Sequence, residues 1–590
     1  MSTALPEPQI TVLDTGGQYT HLIARRVREL GVYAEVQPSD ASAAGLRGRK
    51  GVIISGGPAS VYEPTSPDID PALLDSGPPV LGICYGHQLL AHHLGGNVQK
   101  GDRGEYGIAH LTVTRPDPLW NGVNGSQIWM SHRDTVEVAP PGFRVTASTE
   151  TSGIAAMSDP ERNLFGLQFH PEVVHTHAGI RILENFVFGI CHATRDWDVS
   201  QRVPLVEAEI RAATGDRNVF FFVSGGVDST VAYTLCLRAL GPERVYGTYV
   251  DTGLMRKGET EFVRGIFREL GATHFMVDEA EPEFLSALNE IHEPEAKRRA
   301  IGEQFVKVQE RVLATEHFLD GHWVLGQGTI YPDTIESGGS AKSDLIKTHH
   351  NRVAGIQALI NSGRIIEPLT SFYKDEVREI GREIGVPEKF LSRHPFPGPG
   401  LAIRCLCSDN EEQVTQAGDG YLLPVRSVGV QGDSRSYRHV LSLATAPALN
   451  GIQKTAPALT NSRSDINRVV AVCGSKSALD SMRVFEASVT KERLDLLREA
   501  DAIVRRLCLD TGFEDRVWQF PVVLLPIGTK QARESVVLRP INSVDGMTAD
   551  VVLMPGEMLE RLTAQLLQLP GIEAVFYDLT HKPPGTIEWE

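Results

Sequence analysis

Two short stretches of this sequence hold nucleophilic and basic side chains at chemically meaningful spacing. Gly82-Ile83-Cys84-Tyr85-Gly86-His87-Gln88 sets a cysteine midway between two glycines. This is the spacing of a nucleophile elbow, with Cys in the place of Ser. The glycines allow a sharp strand-to-helix turn that lifts the side chain out of a sheet, and a helix N-terminus favours thiolate over thiol. Gly166-Leu167-Gln168-Phe169-His170-Pro171-Glu172 supplies a base. His170 and Glu172 are two apart, so both can project to one side of an extended segment. Glu172 then orients His170 and stabilises its charged form. Gly56-Gly57 makes an oxyanion loop, with the backbone N–H of Tyr85 as second donor. A lone cysteine is more often a buried structural thiol, but the elbow and the His-Pro-Glu run together argue for catalysis. His170, His175 and His177 read less well as zinc ligands, the alternative, because no Cys or carboxylate cluster completes the set.

A third stretch is built for anions. Phe220-Phe221-Phe222-Val223 is an apolar run of strand type, and Ser224-Gly225-Gly226-Val227-Asp228-Ser229-Thr230 follows it directly. Val231, Leu235 and Ala239 then recur at helical spacing. Strand, small-residue loop and helix N-terminus together cradle phosphate through backbone N–H groups and the helix dipole. The Gly-Lys-Ser/Thr ending of a Walker loop is missing. Charge is handled differently here, and Asp228 is suited to a magnesium ion that bridges phosphates.

These loops need strands and helices to hold them. Ile10-Thr11-Val12-Leu13-Asp14, Val52-Ile53-Ile54-Ser55 and Val80-Leu81-Gly82-Ile83 alternate with helical patterns, which implies a doubly wound parallel sheet with its site at the strand C-terminal ends. The strand ending at Asp251 belongs beside the phosphate-loop strand, in a second sheet of the same class. Glu295-Ala296-Lys297-Arg298-Arg299 reads equally as a solvated face or as a phosphate clamp in a basic turn. Residues 331–341 read as a polar loop able to act as a lid, with Lys347 in the returning segment.

With 590 residues, about four domains are expected. A net charge of −17 and a pI near 5.6 argue against nucleic acid or an acidic membrane as the main partner. Seven scattered cysteines without a Cys-x-x-Cys pair read as reduced thiols of a cytoplasmic protein. No membrane-spanning run or signal peptide is expected.

The phosphate loop resembles that of the N-type ATP pyrophosphatases, which cut ATP between the α- and β-phosphates and adenylate a carbonyl oxygen. In that family the strand carrying Asp251 lies near the adenosine. Ser-Gly-Gly-Pro-Ala-Ser-Val-Tyr, Gly-Ile-Cys-Tyr-Gly-His-Gln and Phe-His-Pro-Glu are similar to class I glutamine amidotransferases, which release ammonia through a thioester on the cysteine. The resemblance assigns Cys84, His170 and Glu172 to catalysis, and Gly56, Gly57, Tyr85 and Gln88 to glutamine and its oxyanion. Trp129-Met130-Ser131-His132-Arg133-Asp134 is similar to a further family segment, except that Arg133 stands where a small residue is usual.

Ile346-Lys347-Thr348-His349-His350-Asn351, Arg393-His394-Pro395-Phe396-Pro397-Gly398-Pro399-Gly400 and Lys582-Pro583-Pro584-Gly585-Thr586-Ile587-Glu588-Trp589-Glu590 carry the resemblance further. The whole chain resembles the glutamine-hydrolysing GMP synthetases in their long form. That implies adenylation of XMP by ATP with magnesium, then amination to GMP. It implies ATP contacts at residues 224–230 and Asp251. It also implies XMP contacts at Arg299, Arg435, Lys582 and Glu588. The expected domains are 1–198, 199–403 and 404–590. The last is expected to be a duplicated small α+β module (404–487 and 488–590), because Leu422-Leu423-Pro424 and Leu524-Leu525-Pro526 read as two matching strand starts. Paired copies on one chain imply a monomer or weak homodimer. Another glutamine-dependent adenylating amidotransferase with a different carbonyl acceptor remains the alternative. A tRNA sulfur transferase would need a catalytic cysteine pair and a basic surface.

Overall fold

The computed structural model describes residues 6–100, 105–336, 353–418, 420–431, 434–443, 455–463, 465–543 and 549–590. Lys347 lies outside them. The chain forms two compact units. The first comprises Met1–Glu209, Ile330–Asp344 and Thr370–Ile380; the second comprises Ile210–Thr329, Leu345–Leu369 and Gly381–Glu590.

The first unit is organised by a nine-stranded sheet. Ala34–Pro38, Ile10–Asp14, Gly51–Ile54, Val80–Ile83 and Leu164–Leu167 run parallel in that spatial order. Every residue of the last three is buried, as expected for strands covered on both faces. Ala156–Asp159, Arg144–Ser148, Glu105–Val113 and Ser126–His132 continue the sheet antiparallel. The expected doubly wound parallel sheet is therefore corrected to a mixed one. Parallel neighbours need a crossover of a dozen residues or more, and antiparallel ones do not. Between Glu105 and Leu167 the only helical segment among the described residues is the three-residue 3-10 turn Pro118–Trp120. The helix Thr20–Glu29 buries Thr20, Ile23, Ala24, Val27 and Arg28, a stripe at helical spacing.

The second unit contains two large sheets. In the first, His274–Glu279, Val245–Asp251, Asn218–Val223, Trp323–Gly326 and Ile365–Ile366 are all parallel. The strand ending at Asp251 does lie beside the phosphate-loop strand. The helix Val227–Leu240 begins after Gly226 and stops at Gly241, whose φ of 87° suits glycine. Two local expectations are corrected. Residues 295–299 are not a turn, because the helix Pro294–Thr315 starts with proline at its first position, where the missing N–H is harmless. Tyr331–Glu336 is a helix rather than a loop.

The other sheet has seven strands, in the order Thr415–Ala417, Gly420–Gln431, Ser434–Leu443, Ile466–Ser475, Ile572–Asp578, Glu534–Leu538 and Val522–Leu525. On one side, Gly420–Gln431 pairs antiparallel with Ser434–Leu443, which runs parallel to Ile466–Ser475 across the helix Thr455–Ser462. On the other side, Val522–Leu525 pairs antiparallel with Glu534–Leu538, which runs parallel to Ile572–Asp578 across the helix Gly556–Leu567. The halves join antiparallel, with Val470 opposite Asp578. The connecting helix Lys491–Thr511 is capped by the Thr490 side chain, which accepts from the Arg493 N–H, and closed by Gly512 at φ 68°. Its buried Leu494, Leu497, Val504 and Leu507 share a core with Val522, Leu524, Val575 and Tyr577.

Candidate active site

Cys84 sits at the end of the strand Val80–Ile83, with φ 52° and ψ −101°. A positive φ on a non-glycine residue stores strain, and the surroundings hold it in place. Its N–H donates to the Leu167 carbonyl at 2.7 Å, and the Gly86 N–H donates to the Ser55 carbonyl at 3.1 Å. A Cβ on Gly82 would lie 2.4 Å from the Gly86 carbonyl oxygen, and one on Gly86 would lie 2.4 Å from that of Ile54. Both glycines are thus required by close backbone approach. Tyr85 opens the following helix, so its N–H is one of the first-turn donors without an intrahelical acceptor.

His170 and Glu172, expected as base and orienting carboxylate, lie against one another. His170 Nδ1 is 2.6 Å from Glu172 Oε1, and both residues are buried. Burial alone would lower the imidazole pKa. The Glu172 carboxylate and a hydrogen bond with Cys84 outweigh it and push the ring up to about 10. The rest of the ring's setting is fixed as well. Its backbone N–H donates to the Trp129 carbonyl at 3.1 Å, and its carbonyl accepts from Thr176 Oγ1 at 2.5 Å. Tyr19 stands edge-on to the ring at 5.1 Å, and Arg26 Nε donates to the Glu172 carbonyl at 2.9 Å.

The Gly56-Gly57 loop, expected as the oxyanion loop, packs against His170 and Cys84. A Cβ on Gly56 would lie 3.0 Å from His170 Cε1 and 3.4 Å from Cys84 Cβ. The Gly56 carbonyl accepts from Thr15 Oγ1 at 2.8 Å and from Ser55 Oγ at 3.1 Å. A trans peptide with its carbonyl held on that side turns the Gly57 N–H to the other. Gln88 donates from Nε2 to the Asp134 carbonyl at 2.7 Å, and Cys84 Sγ lies 3.5 Å from the Ser131 carbonyl oxygen. The segment Ser131–Asp134 therefore runs beside Cys84 and Gln88, with Arg133 exposed. Sequence reasoning missed Thr15 and Ser55, and also Gln168, whose Nε2 approaches Cys84 Sγ at 3.8 Å.

In the second unit the phosphate loop is a tight turn. Gly225 has φ 72°. The Gly226 N–H donates to Ser224 Oγ at 3.2 Å, and Ser229 Oγ donates to the Gly226 carbonyl at 3.2 Å. A Cβ on Gly328, just past the neighbouring strand Trp323–Gly326, would meet the Ser229 nitrogen at 2.7 Å, so two backbones close up at the helix start. Asp228 lies in the first helical turn, half-buried, and Thr230 is buried. Asp251 accepts from the Gly253 N–H at 3.0 Å and from Thr260 Oγ1 at 2.6 Å, so its carboxylate organises the loop that follows it.

The residues expected at the acceptor nucleotide are spread over several elements of this unit. Glu588 is gripped by Arg404, with Nε at 2.9 Å and Nη2 at 2.7 Å, and Gln519 Nε2 is at 3.5 Å. The Lys582 backbone pairs with Ala549. Arg435 pairs in register with Val430, next to Gly429, which bridges to Gly585. Arg299 is exposed on the helix Pro294–Thr315. Its neighbours Lys297 and Arg298, not Arg299, reach the C-terminal residue Glu590. Lys297 lies in the run weighed as a phosphate clamp but meets Glu590 instead; Arg404 and Gln519 were not picked out from sequence, since nothing local marks a residue that meets a tail many residues away.

Residues 11–190 match the glutamine amidotransferase class-I family, and residues 508–589 match the GMP synthase C terminal domain. The chain is 42% identical over 602 residues to the probable GMP synthase [glutamine-hydrolyzing] of Leptospira interrogans, covering 99% of each chain. It is 38% identical over 599 residues to the GMP synthase [glutamine-hydrolyzing] of Heliobacterium modesticaldum, covering 100% of each. It is 38% identical over 592 residues to that of Aquifex aeolicus, covering 98% of this chain and 99% of the relative. Full-length similarity of this order, together with the amidotransferase geometry, shows that the chain belongs to the glutamine-hydrolysing GMP synthase family.

Proposed function

We propose that the chain makes GMP from XMP, taking nitrogen from glutamine and driving force from ATP. The observation that carries the reading is that one chain holds both a strained Cys84 elbow, packed with the His170–Glu172 pair around Gly56, and a Ser-Gly-Gly-Val-Asp-Ser loop at a strand-to-helix junction. In the first unit, Cys84 attacks the glutamine side-chain carbonyl and His170 delivers the proton to the leaving ammonia. The N–H groups of Gly57 and Tyr85 stabilise the oxyanion, and Gln88 orients the substrate. Water then releases glutamate from the thioester.

In the second unit, residues 224–230 hold the ATP phosphates while the C2 oxygen of XMP takes the adenylyl group and pyrophosphate leaves. Ammonia then displaces AMP. Asp228 in the first turn fits magnesium, which takes one or two carboxylates together with substrate phosphates. Bound there, the ion would neutralise phosphate charge. Asp251 shapes the nucleotide side of the loop. Lys582, Glu588, Arg435 and Arg299 are the proposed acceptor contacts, and Lys347 belongs to the lid. The backbone supports part of this, since Arg435 lies beside Gly429 and Gly429 bridges to Gly585.

We read residues 1–198, 199–403 and 404–590 as amidotransferase, adenylation and C-terminal domains. The C-terminal part reads as a duplicated module, supported by the matching strand-strand-helix-strand order of its two halves. Halves already paired on one chain cover the face a second chain would use, at no translational cost. The protein is accordingly a monomer or weak homodimer. Among the described residues no helix is long and apolar enough to cross a membrane, and the proposed location is the cytoplasm.

Incubation with XMP, ATP, magnesium and glutamine tests the reading. GMP, AMP, pyrophosphate and glutamate in equal amounts are expected. Glutamate without GMP would favour a different acceptor.

A further inference from the structure

At the join of the seven-stranded sheet lies a group of fully buried charges. Arg468 is on the strand Ile466–Ser475 of one half, and Asp578 ends the strand Ile572–Asp578 of the other. Arg539 follows the strand Glu534–Leu538. Arg468 Nη1 and Arg539 Nη1 meet the same oxygen, Asp578 Oδ2, at 2.9 and 2.7 Å. Trp589 Nε1 donates to that oxygen at 2.9 Å. All three charged side chains are fully shielded from solvent.

Two guanidiniums therefore face one carboxylate, and an uncompensated charge of this kind is costly unless other groups oppose it. The opposing groups are backbone carbonyls of the C-terminal tail. Arg468 Nη2 donates to the carbonyls of Thr586 and Glu588, each at 2.8 Å. Arg539 donates from Nη2 to Thr586 at 2.8 Å and from Nε to Ile587 at 3.0 Å. Three consecutive carbonyls are thus fixed by planar forks whose own positions are set by Asp578. A Cβ on Gly585 would sit 3.1 Å from Arg468 Nη1, so the chain runs tight against the fork.

We propose that Arg468 and Arg539, oriented by Asp578, are positioning residues for the acceptor nucleotide. They do not touch it; they set the tail that carries Glu588 and follows Lys582. One arm comes from each half of the sheet, so the tail is placed only when the halves are joined. The inference rests on the reading that Lys582 and Glu588 meet XMP.

Arg468→Lys and Arg539→Lys test it. Each keeps the charge opposite Asp578 and so favours folding, but loses the second arm of the fork. Glutamine hydrolysis and the KM for ATP are expected within twofold of the parent. The KM for XMP should rise about 10- to 100-fold, the scale of a small misplacement, with a smaller change in kcat. Carboxypeptidase should remove Glu590 and Trp589 from the variants and spare the parent, where both are buried. A tail that stays resistant in both variants overturns the inference. So does a released tail with unchanged KM for XMP, provided Lys582→Ala weakens XMP; the acceptor reading then stands. If Lys582→Ala also leaves XMP unaffected, the acceptor reading falls with it.

Discussion

His170 Nδ1 and Glu172 Oε1 are 2.6 Å apart with both side chains buried, and this contact helps push the imidazole pKa up to about 10. A ring held as imidazolium is ready to protonate departing ammonia. The alkaline limb of glutaminase kcat/KM should therefore lie near pH 10 rather than near the ordinary histidine value. Glu172→Gln removes the largest cause raising that pKa. The limb should move to lower pH, and glutaminase kcat should fall, while ammonia-dependent GMP formation is kept. An unmoved limb would mean that another group sets it.

Thr15 holds the Gly56 carbonyl at 2.8 Å and so sets the direction of the Gly57 N–H. Thr15→Val removes that donor without changing volume much. Loss of a fixed oxyanion donor lowers kcat by roughly 100-fold or more, and a loosened one should give about a tenth of that effect. The expected outcome is a glutaminase kcat down about tenfold, KM for glutamine little changed, and ammonia-dependent synthesis intact. Equal loss with both nitrogen donors would point to general misfolding instead.

Asp228→Ala should abolish synthesis with glutamine and with ammonia alike, because it acts on the ATP step. In the parent enzyme the nucleotide products should be AMP and pyrophosphate. Chromatography of the quenched reaction distinguishes these from ADP and phosphate, which would overturn the assignment of the loop.

Light scattering across a concentration series checks the assembly. A mass near 64.5 kDa at nanomolar protein is expected. A dimer persisting there would count against the internal pairing of the two halves.

The elements that carry these sites were legible because their signals are local. Gly82 and Gly86 announce a turn that no other residue can make, and His170 and Glu172 announce their pairing by separation alone. Fully buried strands such as Val80–Ile83 show as continuous apolar runs. Less local arrangements were hidden. Arg28, on the helix Thr20–Glu29, carries no local mark of what surrounds it. It is in fact buried among the rings of Tyr33, Trp197, Tyr331 and Tyr373, and pairs with Glu376 at 3.3 Å. Most of these partners lie far along the chain, and no periodicity within a helix encodes them. The antiparallel half of the first sheet escaped notice because its strands are joined without the helices that mark a crossover. Arg404, Arg468 and Arg539 look like ordinary charges until the tail that they grip is folded against them.

The central claim is that glutaminase and synthetase chemistry occupy separate centres on this chain. Cys84→Ala tests it most directly, with GMP formation measured from XMP and ATP using either glutamine or ammonium chloride. The account predicts that synthesis with glutamine disappears while synthesis with ammonium stays within about twofold of the parent. Loss of both, in a variant shown to be folded, would contradict it.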